Sequence, residues 1–73
     1  MADLTKEIIN VLSPVVGDFL AEARVRASFV MLNIDTPSTQ DLPRIAEKIR
    51  VSMERSLGPV AASQIANQIR ELR

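Results

Sequence analysis

The chain has 73 residues, nine Lys or Arg against nine Asp or Glu, no His and no Cys. Zero net charge leaves no overall field to gather nucleic acid or an acidic membrane surface. Without His or Cys, a Ser-His-Asp triad, a Cys nucleophile, a disulfide and the thiolate or imidazole zinc sites are all excluded.

A chain of this length forms one domain, residues 1–73, and buries only about 60% of the surface that it exposes when unfolded. Small scaffolds compensate with disulfides, metals or oligomerisation, and oligomerisation is the means open here. No uncharged run approaches the roughly 20 residues of a membrane helix, and the start MADLTKEI lacks a basic segment followed by an apolar one. The expectation is a cytoplasmic protein that does not engage a membrane.

The first helix is expected from Leu4 to Leu12, with Leu4, Ile8, Val11 and Leu12 on one face and Asp3 or Thr5 as its cap. Ser13 and Pro14 then punctuate the chain, because Ser caps well and Pro suits the first helical position; the signal fits either a kink or a new helix. The second helix, Pro14 to about Asn33, is expected to be the longest. At about 100° per residue it carries two apolar stripes. Val16, Leu20, Ala23, Ala27, Val30 and Ile34 form one, which helices one, three and four would cover. Val25, Phe29 and Leu32 form the other and are the candidate interface, for a second copy of the chain or for another protein. Glu22 and Arg26 are spaced as a surface ion pair. Asp18 and Glu22 could hold a hard cation or act as an acid and base, although carboxylates near a helix start are also an ordinary solvated face.

Asp35 to Gln40 reads as the loop between the two halves. The third helix should begin between Ser38 and Asp41, bury Leu42, Ile45, Ala46, Ile49, Met53 and Leu57, and end at Gly58 and Pro59. There Gly suits a left-handed residue after one helix and Pro the start of the next. The fourth helix, Pro59 to about Leu72, should bury Ala61, Ile65, Ile69 and Leu72 and close on Arg70 and Arg73. No alternating pattern competes for a strand. The expected fold is all-α, four helices in a small bundle or an intertwined dimer. A shift of 45 residues lays Leu12-Ser13-Pro14-Val15 on Leu57-Gly58-Pro59-Val60, which suggests a twofold repeat of 4–33 and 41–72; convergence on Leu-x-Pro because Pro suits a helix start explains the match equally.

Few residues are available for chemistry. Gly17 and Gly58 are the only glycines, so no phosphate loop exists. Phe19 and Phe29 are too few for a base-stacking platform and fit core or interface roles, and Met31 and Met53 fit core gaps. No catalytic, metal or cofactor residue is assigned.

Two local resemblances add to this reading. Ile45-Ala46-Glu47-Lys48-Ile49-Arg50-Val51-Ser52 looks like the first helix and turn of a helix-turn-helix, with Arg50 where that turn has Gly; the implied nucleic-acid contacts are Arg44, Arg50 and Arg55. Leu57-Gly58-Pro59-Val60-Ala61, echoed by Leu12-Ser13-Pro14-Val15-Val16, resembles the turn in short helical accessory segments of bacterial regulatory and signalling proteins. That resemblance implies a non-catalytic module. The expected function is a non-enzymatic helical interaction or regulatory module acting through apolar helix faces, homodimeric, with a DNA-binding helix-turn-helix-like domain over Ile45 to Ser56 as the alternative.

Overall fold

The computed structural model describes residues 4–72, which form four α-helices and one 3-10 turn and no strand. The fold is all-α. Helix α1 spans Leu4–Val16, α2 Asp18–Leu32, α3 Leu42–Leu57 and α4 Pro59–Arg70. A single 3-10 turn, Thr39–Asp41, leads into α3. Of the helix-end residues expected from the sequence, Asp3 and Arg73 lie outside the described residues.

The first break in the chain is at Gly17, not at Ser13 and Pro14. Pro14 sits inside the last turn of α1 instead of opening a new helix, and its ring leaves the Asn10 carbonyl without its helical N–H partner. Ser13 also turns inward: its hydroxyl donates to the Ile9 carbonyl at 2.9 Å instead of capping a new helix. The second helix is consequently shorter than expected, and the longest is α3.

Gly17 has φ 88° and ψ 159°, and Gly58 has φ 86° and ψ 161°. This corner of backbone space is essentially open only to glycine. It differs from the left-handed helical conformation expected for Gly58; that conformation belongs to Asn33, at φ 58° and ψ 47°, which closes α2. Each glycine serves two helices at once. The Gly17 N–H donates to Ser13 and its carbonyl accepts from Ala21, at 2.8 and 3.0 Å. Gly58 does the same with Glu54 and Ala62, at 2.8 and 3.1 Å. One residue thus ends one helix and begins the next, which makes each junction a sharp corner.

The two corners lie 41 positions apart, not 45. Superposing them places Ile8 with Ile49, Leu12 with Met53, Ala21 with Ala62 and Val25 with Ala66, and all eight are buried. Helix α1 packs mainly on α2 and α3 mainly on α4, and the two pairs meet through α2 with α3 and α1 with α4. The core lies between the pairs, built from Ile8, Leu12, Val25, Phe29, Leu42, Ile45, Ile49, Met53, Ile65 and Ile69. On α3 the expected face is the buried one, with Leu57 only partly covered. On α4 the buried alanines are Ala62 and Ala66, with Ala61 half-buried. Ahead of α3 the Asp41 carboxylate holds the start of the 3-10 turn, its Oδ2 accepting from both the Ser38 N–H and the Ser38 hydroxyl at 3.0 and 3.1 Å.

Candidate functional site

Helix α2 is apolar on two opposite sides, and the fold can bury only one of them. Ala21, Val25, Ser28 and Phe29 face the core, with Leu32 partly covered beside them. Ser28 is tolerated there because its hydroxyl donates to the Arg24 carbonyl at 3.0 Å, which satisfies the polar atom within the helix. The expected interface of Val25, Phe29 and Leu32 is therefore corrected. Val25 is fully buried, Phe29 is 8% exposed, and the three face α1 and α3 rather than a partner.

Of the stripe expected to be covered, Leu20, Ala23, Ala27 and Val30 are exposed, while Val16 and Ile34 at its two ends pack partly against the core. Phe19 is 85% exposed, Val30 81%, Met31 70% and Leu20 50%, and Ala23 and Ala27 between them are exposed too. At about 100° per residue these six side chains fill roughly 120° of the circumference of α2, over about 18 Å of its length. No charged residue interrupts them. Arg24 lies at one edge of the stripe, and Glu22 and Arg26 lie at the other. Those two form the expected ion pair at 3.0 Å. Met31, read from its spacing as a core residue, belongs to this exposed face.

The internal correspondence supplies a control. Carried across the 41-position offset, Phe19, Leu20, Ala23, Ala27, Val30 and Met31 fall on Val60, Ala61, Gln64, Gln68, Glu71 and Leu72 of the second half. At the same place in the architecture α4 presents Gln64, Gln68 and Glu71 to water, all exposed. Helix α2 puts Ala23, Ala27 and Val30 there. The middle of the stripe is thus apolar in α2 where the second half is polar, while its two ends are apolar in both.

Arg44, Arg50 and Arg55 do not combine into a basic surface. Arg50 donates to Glu47 and to Glu54, each at 2.6 Å, and Arg44 is 3.8 Å from Asp41. The hydrogen bond from Arg50 and its charge hold the Glu47 carboxyl below the ordinary value of 4.5, and Glu47 in turn pushes the Arg50 guanidinium further up. Arg70 of α4 reaches the same carboxylate at 3.6 Å. The turn required by a helix-turn-helix is also missing: α3 runs without interruption through Arg50, Val51 and Ser52, and the Ser52 hydroxyl bonds back to the Ile49 carbonyl at 3.0 Å. With Arg50 in place of Gly, nothing breaks the helix there.

No family model, curated protein or solved structure matches this chain. Among the described residues no group of three or more carboxylates is placed to hold a metal ion, and Glu22 is committed to Arg26 rather than to Asp18. The concave features are shallow. One of about 430 Å³ lies between Leu32 and α3, lined by Pro43, Arg44, Glu47, Lys48 and Val51. Another, of about 560 Å³, follows the α1–α2 groove past Lys6, Asn10, Asp18 and Glu22. The second is lined mostly by polar side chains, Thr5, Ser13 and Arg26 among them, but both are open grooves rather than enclosed cavities. No helix of the described residues is long and apolar enough to cross a membrane.

Proposed function

We propose that the chain is a non-enzymatic, cytoplasmic helical interaction module whose working surface is the outer face of α2, and that it works as a homodimer. The observation that carries this reading is the uninterrupted exposed stripe from Phe19 to Met31, whose central positions Ala23, Ala27 and Val30 are matched by Gln64, Gln68 and Glu71 in the second half. Fully burying a Val, Leu, Phe or Met side chain contributes roughly 1.5 to 3 kcal/mol, and a domain of this size has a total stability near 5 kcal/mol. Covering the stripe therefore changes the stability of the whole molecule. The partner is recognised mainly by apolar shape, because, of the charges flanking the stripe, Glu22 and Arg26 already pair with each other.

Methyl NMR with a soluble paramagnetic probe tests this reading. Leu20, Val30 and Met31 methyl signals should be bleached by the probe in dilute protein and protected in concentrated protein, while those of Val51 and Val60 stay bleached throughout. Equal bleaching of Leu20, Val30 and Met31 at every concentration rejects self-association through this face.

A further inference from the structure

Resting on that reading, we propose the geometry of the pair: α2 packs against the α2 of a second copy, antiparallel across a twofold axis, with Ala23 opposite Ala27 of the other copy. Three observations converge on this arrangement.

The first is the distribution of size along the stripe. Ala23 and Ala27 occupy its middle, with Phe19 and Leu20 toward one end and Val30 and Met31 toward the other. An antiparallel twofold sets alanine against alanine at the centre, where two backbones can approach closely. It also sets Phe19 against Val30 and Leu20 against Met31 at both ends, because each edge of the stripe meets the same edge of the other copy. A parallel pair would put Phe19 on Phe19 at one end and leave the alanine centre held apart. The second is charge. The twofold brings the edge carrying Glu22 and Arg26 against the same edge of the other copy, with Glu22 about 3 Å along the axis from Arg26 across the interface. The ion pair seen within one helix at 3.0 Å then joins a ring in which Glu22 and Arg26 alternate, with the two Arg26 side chains as near each other along the axis as each is to the other copy's Glu22. The opposite edge sets Arg24 beside its own copy, a repulsion that this geometry carries and that provides a handle for testing it. Antiparallel helices also oppose their macrodipoles, which parallel ones do not.

The third is area. The six side chains expose roughly 500 Å² in each chain, about a tenth of the 4861 Å² total, so a pair buries on the order of 1,000 Å². That is the lower bound of specific interfaces and suits a reversible dimer.

The chain has no cysteine, so engineered thiols report on the geometry without interference. An equimolar mixture of Ala23→Cys and Ala27→Cys protein, oxidised at concentrations where the wild type associates, should give the 23–27 cross-linked pair well above either self-pair. Phe19→Cys mixed with Val30→Cys should behave likewise. Phe19→Cys alone should not cross-link, because antiparallel pairing separates the two copies of residue 19 by about 18 Å, beyond any disulfide. Arg24→Gln should tighten self-association severalfold by removing the like-charge contact. Glu22→Arg should weaken it, and the combined Glu22→Arg, Arg26→Glu exchange should restore it. Self-linking of Phe19→Cys, with weakening by Arg24→Gln, overturns the antiparallel geometry and leaves the interaction face standing. No cross-link in any mixture, with a monomer throughout, overturns the homodimer and the geometry together.

Discussion

Replacing Gly58 tests the corner on which the two helix pairs depend. The backbone there, φ 86° and ψ 161°, costs an L-residue about 1 to 3 kcal/mol. A Cβ at this position meets no atom within 4 Å, so steric collision adds nothing and the cost is backbone strain alone. Against it stands the smaller freedom of alanine in the unfolded chain, about 0.4 to 1 kcal/mol in favour of the variant. Gly58→Ala should therefore destabilise by about 1 to 2 kcal/mol. In a domain of this size each kcal/mol moves the melting temperature by roughly 4 to 8 °C, giving a fall of about 5 to 15 °C. Gly58→Asn separates this conformation from the left-handed helical one, which Asn tolerates well; here it should lose about as much as Ala does. Thermal and urea denaturation followed by circular dichroism at 222 nm, at one fixed protein concentration, measures both variants. If Asn recovers most of the loss, the glycine is an ordinary left-handed cap. If neither variant loses stability, α3 and α4 are one continuous helix and the corner is wrong.

Two further substitutions probe the two faces of α2 and the charged surface of α3. Phe29→Ala empties a core position and should cost about 3 to 5 kcal/mol, close to the whole stability of the domain, whereas Phe19→Ala in dilute protein should leave the melting temperature nearly unchanged; equal losses from the two would show that the faces are assigned the wrong way round. The lowered pKa of Glu47 means that its ion pairs stabilise the fold above the ordinary carboxylate value of 4.5 and are lost as pH falls through its lower folded value. Wild-type urea midpoints should accordingly drop more steeply below pH 4.5 than those of Glu47→Gln, and parallel curves would show that the Glu47 pairs do not contribute.

Much of the architecture is legible in the residues, and the part that is not has a physical cause. On α3 the sequence offers a single apolar stripe, Leu42 to Met53, and the structure buries that stripe. On α2 two stripes of similar hydrophobicity compete, and periodicity carries no preference between them. The buried side also carries Ser28, whose hydroxyl is satisfied inside its own helix. Pro14 carries the usual signal of a helix start but lies inside the last turn of α1, so the proline alone does not mark the corner at Gly17. Aligning on the glycines instead of the prolines would have revealed both the corner and the outer face. Gln64, Gln68 and Glu71 mark which side of α4 meets water, and the same positions of α2 read Ala23, Ala27 and Val30. The basic residues of α3 were misread for a different reason: Arg44 and Arg50 each have acidic neighbours one helical turn away, and these pair with them before any external phosphate can.

Sedimentation equilibrium over the micromolar range tests most directly the claim that the outer face of α2 joins two copies of this chain. The wild type should move with concentration from 8.1 kDa toward twice that mass, while Phe19→Glu, altered at an exposed position, should remain folded and at 8.1 kDa throughout. A wild type that stays at 8.1 kDa at every concentration, or a Phe19→Glu variant that associates as the wild type does, contradicts it.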